Sequence, residues 1–354
     1  MQNAEFGEYR MKLDIKSKLP EELEEYFKSI GEPAYRAGQV FHWLHAGAKS
    51  FREMTNLSLK LRAGLDEEFF ITAPVLLEKQ ISKSDGTIKF LWQLSDGNTV
   101  ESVLMEYEFG LTVCISTQVG CRMGCVFCAS ALGGLVRNLT ASEMLDQVLF
   151  SQIEAGSRIS NIVLMGIGEP LDNYDNVMSF LRLVNAPNGL NIGMRHITLS
   201  TCGIIENIDK LAESEIQLSL AISLHAPDDE TRSLLMPINK KTGTDELISA
   251  CNRYFKSTGR RISYEYALIN EVNDTRHHAQ MLAKIIKPGG GHLNLILLNN
   301  VPEYLFEPSA ADRVDAFTDI LKKQRINFTI RRKLGGDIDA SCGQLRRRLA
   351  FARD

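Results

Sequence analysis

The sequence predicts an α/β protein whose main part is a parallel β/α unit, preceded by helices and by a short antiparallel β section. From Leu111 onward, apolar strand-like runs alternate with segments of helical periodicity, which is the order of elements in a parallel sheet. Between residues 75 and 113 the apolar period is two, which is typical of antiparallel strands. Six β/α units are expected, arranged as an open sheet or as a partial barrel.

Residues 1–75 are expected to form a helical accessory domain. Apolar residues recur at helical spacing in EELEEYFKSIG and in YRAGQVFHWLHAG, and each pattern ends on a glycine. LSLKLRAGLDEEF has the pattern of a third helix. His42, Trp43 and His45 are interpreted as packing residues of this small bundle.

Residues 76–113 are expected to form a β-hairpin connector. The run VLLEKQISKSDGTIKFLWQL places Asp85-Gly86 between two alternating stretches, and this dipeptide favours a tight hairpin turn. A second pair of strands, TVESVLMEY and LTVCIST, meets near Phe109-Gly110. The connector would join the helical bundle to the main domain.

The core is expected over residues 114–305, followed by a helix, a strand and a cysteine loop over residues 306–354. The predicted core strands are LTVCIST, NIVLMG, HITLST, LSLAIS, ISYEYAL and LNLILL. Polar or reactive groups follow five of them. They are the cysteine cluster, then Gly168 with Glu169, Ser200, Ser223 with His225, and Asn299. Because reactive residues collect at the carboxyl ends of parallel barrel strands, this edge is the predicted ligand-binding mouth.

Composition favours a cytoplasmic protein. The chain has 354 residues, enough for one large domain with an accessory piece or for two domains. We find neither a signal peptide pattern nor a run of about 18 apolar residues, so no membrane association is expected. In a reducing compartment, the seven cysteines indicate metal binding or catalysis rather than a disulfide framework.

The strongest chemical motif is a Cys-x3-Cys-x2-Cys run formed by Cys121, Cys125 and Cys128. Iron–sulfur cubanes normally take four thiolates, so three close cysteines would leave one iron without a protein ligand. An open coordination position is typical of catalytic metal sites, and a small molecule with an amine and a carboxylate could chelate that iron. Zinc is the alternative, but its Cys-x2-Cys pairs usually occur in two sets and no second set is present.

The C-terminal section is basic although the net charge of the whole chain is −4. Between Lys322 and Arg348, nine basic residues stand against Asp337 and Asp339. This run is either a solvated surface or a phosphate-binding patch. The position of Cys342 between the RRK and RRR clusters suits a polyanion delivered to that cysteine.

Five further segments accompany the cysteine motif in a fixed order: CISTQVG, GIGEPL, SLHAP, PINK and DIDASCGQL. The cysteine motif, with Phe127 before its last cysteine, is similar to the signature of the radical S-adenosylmethionine (SAM) superfamily. The five segments resemble one family within it, the dual-specificity adenine-C2 RNA methyltransferases called RlmN. The resemblance extends from about residue 20 to residue 348.

The resemblance implies a partial (β/α)6 barrel radical-SAM core with two bound groups. Cys121, Cys125 and Cys128 would ligate one 4Fe–4S cluster per chain, and the cofactor SAM would occupy a pocket of seven residues. These residues are Gly168, Glu169, Ser200, Ser223, Leu224, His225 and Asn299. An external electron donor, flavodoxin-like or similar, would supply the reducing electron.

The resemblance also implies covalent catalysis by two cysteines, because C2 of adenine is not a nucleophile. Cys342 would accept a methyl group from one SAM, and a radical from a second SAM would take a hydrogen from that methyl before it adds to C2. Cys114 would then release the product by forming a transient disulfide with Cys342. Glu101 would accept the C2 proton, although its sequence context alone reads as an exposed, solvated strand position.

The implied substrates are adenine 2503 of 23S rRNA and adenine 37 of certain tRNAs. The N-terminal bundle would be a second RNA-contacting surface, and a monomer is expected. Cys202 and Cys251 lie outside the family motifs and are interpreted as structural.

Three other functions stay open at this point. The sister activity methylates C8 of the same rRNA adenine and confers antibiotic resistance, although CASALGGL and INK look more like the C2 enzymes. A non-enzymatic RNA-binding protein with an iron–sulfur or zinc site is a second alternative. A radical enzyme for a small metabolite is the third, and it leaves the basic flanks of Cys342 unexplained.

Overall fold

A computed structural model of the chain describes residues 12–214 and 216–347. Its α-helices are α1 (Pro20–Ser29), α2 (Tyr35–His45), α3 (Leu59–Glu68), α4 (Ala141–Ala155), α5 (Tyr174–Asn185), α6 (Ile205–Glu213), α7 (Asp229–Leu235), α8 (Thr244–Thr258), α9 (Arg276–Gly289) and α10 (Ala311–Lys323). Short 3-10 helices lie at Phe51–Glu53, Ala129–Ala131, Pro170–Asn173, Met194–His196, Pro237–Lys240 and Gly336–Ile338.

The strands alternate with these helices in the second half of the chain. They are β1 (Leu13–Asp14), β2 (Phe69–Phe70), β3 (Val75–Ile81), β4 (Ile88–Gln93), β5 (Thr99–Tyr107), β6 (Gly110–Cys114), β7 (Gln118–Gly120), β8 (Leu135–Asn138), β9 (Ile159–Leu164), β10 (Ile197–Thr201), β11 (Ser219–Ser223), β12 (Ser263–Leu268), β13 (His292–Leu297) and β14 (Phe328–Ile330).

Ten of these strands form one mixed sheet in the order β14-β13-β12-β11-β10-β9-β6-β5-β4-β3. From β6 to β14 every neighbouring pair is parallel, and from β3 to β6 every pair is antiparallel. The sheet ends at β14 and β3 and is not closed. The predicted fold class is confirmed: the chain is α/β, and all six predicted core strands are present as β6 and β9–β13.

The antiparallel section is an extension of the core sheet, since β6 belongs to both parts. Val113 of β6 is paired with Leu104 in an antiparallel register on one side and with Ile162 in a parallel register on the other. Packing explains this continuity, because the inward faces of both sections contribute to one hydrophobic core. The hairpin therefore widens the sheet beside the core instead of forming a separate link.

Local sequence signals begin and end the core helices. At the start of α4, the Thr140 hydroxyl accepts a hydrogen bond from the Glu143 N–H, and the Glu143 carboxylate accepts one from the Thr140 N–H. This reciprocal capping satisfies two backbone donors that a helix start leaves open. Gly156 and Gly259 end α4 and α8 in the left-handed conformation, which costs glycine little.

The N-terminal helices pack on the core through a buried ion pair. The Lys16 ammonium donates to Asp146 Oδ1 of α4 (2.7 Å) and to the carbonyl of Thr72 (2.5 Å), and both side chains of the pair are almost fully buried. His45 is buried and Trp43 partly buried, as expected of packing residues, whereas His42 is exposed. Among the described residues, the helices lack the combination of length and apolar character that a membrane span requires.

Candidate active site

The three motif cysteines lie in the loop that follows β7. Gly120, the last residue of β7, has φ of +79°, and a Cβ there would lie 1.9 Å from the Gly134 carbonyl oxygen. Only glycine allows this approach, and it lets the Cys121 N–H donate to the same carbonyl (3.0 Å). The turn thereby fixes where the cysteine loop leaves the small β7–β8 sheet.

Cys121, Cys125 and Cys128 line one cavity at the carboxyl end of the core strands. Burial raises the pKa of Cys121 to about 12, and burial also raises the pKa of Cys125 and of Cys128. A bound metal cation offsets that burial and ionises such thiols, and soft sulfur donors suit iron–sulfur clusters and zinc. The three thiols on one cavity wall are therefore a donor set that fits an iron–sulfur cluster with one iron left open to a further ligand.

The same cavity brings together six of the seven residues predicted to bind SAM. They are Gly168, Glu169, Ser200, Ser223, His225 and Asn299. Leu224 does not line it: its side chain is fully buried, and its carbonyl accepts a hydrogen bond from Arg232 (3.1 Å). Cys202, interpreted from the sequence as structural, does line the cavity.

Glu169 is held rigidly on the cavity wall. Its Oε1 accepts a hydrogen bond from the Leu171 N–H (3.1 Å) and its Oε2 accepts one from the Cys202 N–H (2.8 Å). Burial raises the pKa of its carboxyl. The preceding Gly168 has φ of +111°, and a Cβ there would lie within 2.8 Å of Gln118. Glycine is thus required for the chain to place Glu169 at this point.

His225 presents a neutral ring to the cavity. Its Nδ1 accepts a hydrogen bond from the Ala267 N–H (2.9 Å), so the ring proton is on Nε2. Burial lowers the pKa of His225 to about 3, with a contribution from the charge of Arg232. Phe127 packs edge-on against the ring at 4.9 Å between centroids. The imidazole is therefore an oriented hydrogen-bond donor at neutral pH.

Cys114 and Cys342 line a second cavity, which adjoins the first. The two cavities share several wall residues, namely Met165, Ile296, Asn299, Arg331 and Cys342. Cys114 ends β6 and is buried, whereas Cys342 is exposed, and neither is in a disulfide. Burial raises the pKa of Cys114 to about 12. The structure thus brings together two cysteines that are 228 positions apart in the sequence and sets them beside the three-cysteine cavity.

The Cys342 loop is fastened on three sides. Asn299 Nδ2 donates to the Cys342 carbonyl (3.0 Å), and the Ala129 N–H donates to the Gly343 carbonyl (2.8 Å). On the opposite side, the Gly335 N–H donates to Asp85 of the β3–β4 turn (2.8 Å). Among the described residues, nothing donates a hydrogen bond to the buried Oδ1 of Asn299, so this acceptor is available to a ligand.

Glu101 is buried in β5 and is not the exposed, solvated residue that its sequence context suggests. Its Oε2 accepts a hydrogen bond from the Arg346 N–H (2.9 Å), and Lys89 Nζ lies 3.9 Å from Oε1. It lines neither of the two cavities described above, although its partner Arg346 follows the Cys342 loop. Its position is therefore next to the loop, behind the cavity wall.

Two arginines have internal positions that sequence reasoning missed. Arg232 is buried and donates to Asn239 and to the carbonyls of Cys202 and Leu224, which ties together the ends of β10 and β11. Its sequence context, DETRSLL, is mostly polar and gives no signal of burial. Arg331, interpreted as part of a surface patch, has its guanidinium on the buried carboxylate of Glu265, with 27% of its side chain exposed.

The remaining basic residues form a smaller exposed group than the sequence indicates. Arg332 and Lys333 are exposed and line the Cys114–Cys342 cavity. Arg346 is partly buried and is paired with Glu303. Arg348 lies outside the described residues. Exposed positive charge is therefore present at the mouth of the second cavity, and Lys322, Lys323 and Arg325 form a separate exposed group at the end of α10.

Comparison with known proteins assigns both parts of the chain. Residues 115–282 match the family model of the radical SAM superfamily, and residues 14–71 match that of the ribosomal RNA large subunit methyltransferase N-terminal domain. A probable dual-specificity RNA methyltransferase RlmN from Clostridium tetani is 51% identical over 93% of this chain and 94% of its own length. The protein of the same description from Alkaliphilus metalliredigens is 52% identical over 95% and 96%.

A solved structure agrees with these relatives. The radical SAM methyltransferase from Sphaerobacter thermophilus is 43% identical, with a TM-score of 0.89 over 94% of this chain and 99% of that chain. The superfamily implies SAM and a 4Fe–4S cluster, for which the three-cysteine cavity provides fitting donors. Family model, relatives and fold agree over nearly the whole length, so the chain belongs to the dual-specificity RNA methyltransferase RlmN family of radical SAM enzymes.

Proposed function

We propose that the chain methylates C2 of adenine in RNA, at adenine 2503 of 23S rRNA and adenine 37 of tRNAs. The observation that carries the proposal is the pair of adjoining cavities with Cys342 in the wall of both. One cavity has the donors for a cluster and SAM, and the other holds the second cysteine. A sulfur at their junction can meet a methyl donor on one side and a base on the other.

Cys121, Cys125 and Cys128 would hold one 4Fe–4S cluster, and the lining residues Glu169, His225 and Asn299 offer polar atoms for SAM. When bound, the cluster and SAM supply a one-electron reductant and a carbon-centred radical. The chain orients the reactants: Glu169 is fixed by two backbone N–H groups, and His225 offers its Nε2 proton. The free Oδ1 of Asn299 is suited to a donor such as an amine or a ribose hydroxyl.

The different exposure of the two cysteines supports different roles for them. Cys342 is exposed and can accept a methyl group by displacement, which would make it the carrier of the methyl to C2. Cys114 is buried with a pKa raised to about 12, so it stays protonated at neutral pH and does not compete for that methyl. Once the adenine is attached to the Cys342 sulfur through the methylene carbon, the Cys114 thiol would lose its proton and attack that sulfur. The bond between the sulfur and the methylene carbon would break, the carbon would take up a proton as the new methyl group, and the two cysteines would be left as the transient disulfide.

Glu101 would be the acceptor of the C2 proton. Its carboxylate is next to the Cys342 loop, but its Oε2 is engaged by the Arg346 N–H. Because Glu101 lines neither cavity, acting as a base would require the cavity wall to move or one water to carry the proton from the cavity. The exposed pair Arg332 and Lys333 would attract the RNA phosphates at the cavity mouth. We propose a monomer that takes electrons from an external donor of the flavodoxin type.

The test is nucleoside mass spectrometry on rRNA and tRNA treated with reduced, cluster-loaded enzyme. The wild-type chain is expected to give 2-methyladenosine, and Cys342→Ala is expected to give none. Cys114→Ala is expected to accumulate protein covalently joined to RNA, because the adduct on Cys342 cannot be resolved. Cys251→Ala serves as the matched control, since Cys251 is buried in α8 and lines neither of these two cavities. A new methyl on C8, or an active Cys342→Ala variant, would overturn the proposal.

A further inference from the structure

Arg331 occupies an unusual position, immediately after β14 and inside the open side of the sheet. It lines the three-cysteine cavity and the Cys114–Cys342 cavity. It also lines a third, polar cavity towards the amino ends of β10–β13, whose walls include Ser219, Ser263 and Asn294. Among the residues that the structure describes, Met165 is the only other one that lines all three cavities. One guanidinium therefore faces the junction at which Cys342 is placed.

The guanidinium is held at one nitrogen, Nη1, and lines the same cavity as Cys114 and Cys342. Its Nη1 donates to Glu265 Oε2 (3.3 Å) and to Met165 Sδ (3.6 Å). Glu265 is itself buried and fixed, since its Oε1 accepts a hydrogen bond from Asn294 Nδ2 (2.8 Å). Within the described part of the chain, the side-chain hydrogen bonds of Arg331 are made by Nη1, while its backbone N–H donates to the Leu295 carbonyl (2.8 Å). Nε and Nη2 are thus left for an anion in the cavity.

Electrostatics agrees with this geometry. The pKa of Arg331 is raised, and the nearby Cys342 sulfur is the largest cause. The guanidinium therefore remains a permanent cation beside two sulfur atoms. Glu265 neutralises only part of this charge, because its carboxylate contacts the Arg331 guanidinium at Nη1 alone.

We propose that Arg331 is a positioning residue that supplies the counter-charge for the thiolate of Cys342. The proposal rests on the proposed function in one respect, because it assigns that thiolate the task of accepting the methyl group. It goes beyond the predicted role of Arg331 as part of a phosphate-binding surface patch. If Arg331 had only a surface role, its substitution would not change the reactivity of Cys342.

The chemical step shows why a counter-charge is useful. The Cys342 thiol first loses its proton to solvent, and the thiolate electron pair then forms a bond to the methyl carbon of SAM. The bond between that carbon and the sulfonium sulfur breaks, and S-adenosylhomocysteine leaves as a neutral thioether. A nearby cation lowers the intrinsic nucleophilicity of a thiolate somewhat, but it increases the ionised fraction by more, so the net rate rises when most molecules are thiols.

The test measures the reactivity of Cys342 without SAM or RNA. Cluster-loaded protein is treated with iodoacetamide at one pH, and peptide mass spectrometry follows the alkylation of Cys342. Arg331→Gln is expected to slow this alkylation about tenfold, because it removes the positive charge that shares the cavity with Cys342. Arg331→Lys keeps the positive charge and is expected to stay within about threefold of the wild-type rate. Glu265→Gln removes the competing carboxylate and is expected to raise the rate.

Arg332→Gln is the matched control, because it removes the same charge from the neighbouring, exposed residue. An equal slowing in Arg332→Gln would overturn the proposal, and so would an Arg331→Gln variant that reacts as fast as the wild type. Cluster absorbance and thermal unfolding check that each variant is folded. If Arg331→Gln does not fold, the test is made with Glu265→Gln. An alkylation rate of Cys342 in that variant that is equal to or slower than in the wild type would contradict the proposed counter-charge. Methylation by Cys342→Ala would refute the proposed function while leaving the alkylation result intact, so the two failures are distinguishable.

Discussion

At the scale of single residues, burial assigns different chemistry to identical side chains. Cys114 and Cys342 line one cavity, but only Cys114 is enclosed, and burial raises its pKa to about 12. The same effect acts on imidazoles in the opposite direction. His225 and His45 are both buried, and the pKa of each is lowered to about 3. Such groups make the stability of the fold depend on pH.

His45 provides the clearest test, because it lies far from the candidate active site. It stacks on Phe41 at 4.1 Å, and burial and the charge of Lys16 keep it neutral. Its folded pKa is below the unfolded value of 6.5, so the unfolded chain binds the extra proton and stability falls as pH drops from about 6.5 towards 3. Between pH 7 and pH 5, His45 should lower the free energy of unfolding of the wild type by about 2 kcal/mol, and His45→Gln should abolish that contribution.

The measurement is urea unfolding of both proteins at the two pH values. The absolute stability of His45→Gln is not the relevant quantity, because a buried glutamine has a cost that is equal at both pH values. His42→Gln on the exposed face of α2 is the control. Parallel pH dependence in wild type and His45→Gln would show that His45 is protonated in the folded chain.

Sequence reasoning at this scale succeeded where chemistry is local and failed where it depends on distant packing. The spacing of Cys121, Cys125 and Cys128 puts their thiols in one loop, so their convergence follows from eight residues of sequence. The burial of Glu101 instead depends on the Arg346 backbone, 245 positions away. No local pattern contains that information, and the same is true of Arg331 and Glu265.

At the scale of elements, the N-terminal helices and the core meet at one buried ion pair. Lys16 and Asp146 are 2.7 Å apart with side chains 0% and 2% exposed, and Lys16 lies over the ring of Phe150. A buried ion pair contributes little net stability relative to apolar residues, but removal of one partner leaves the other charge buried and unpaired. The pair therefore contributes more to the fit between the N-terminal helices and the core than to the total stability.

Asp146→Asn should destabilise the chain by about 3–5 kcal/mol, because the Lys16 ammonium then stays buried without a carboxylate. The measurement is the free energy of unfolding from chemical denaturation at neutral pH. The matched control is Glu206→Gln, which removes the carboxylate of the exposed Lys210–Glu206 pair and should leave stability unchanged. A loss no larger in Asp146→Asn than in this control would contradict the interpretation.

The elements themselves were largely predictable, because periodicity is a local property. The six core strands lie where apolar runs alternate with helical segments, and α1 and α2 end two residues before Gly31 and Gly47, as their patterns predict. The relation between the hairpins and the core was not predictable. That β6 has antiparallel and parallel neighbours depends on which strands meet, and its parallel partner β9 begins only after 44 intervening residues.

At the scale of the whole molecule, the net charge of −4 conceals a local basic site. Arg332 and Lys333 are exposed at the Cys114–Cys342 cavity, whereas Arg331 and Arg346 are engaged with carboxylates. RNA binding should therefore depend on few, well-placed charges. Arg332→Gln combined with Lys333→Gln should weaken tRNA binding and reduce the slope of log K against log salt by about 1–2.

Fluorescence anisotropy with labelled tRNA at several salt concentrations measures that slope. Lys323→Gln, at the end of α10 and outside both cavities, is the control and should leave the slope unchanged. An unaltered slope in the double variant would mean that the RNA backbone is contacted elsewhere, and the N-terminal helices would then be the next surface to test.

The hydrogen bonds between the Cys342 loop and the β3–β4 turn limit the insertions and deletions that this turn can accept. Exposed hairpin turns ordinarily accept inserted or deleted residues. Here Ser82 and Lys83 donate hydrogen bonds to Asp337, and Asp85 accepts one from Gly335, so the turn holds the start of the Cys342 loop, 250 positions later in the chain. Lengthening it by even one residue would displace the anchor of Cys342, and selection should hold the size of this turn constant among active homologues.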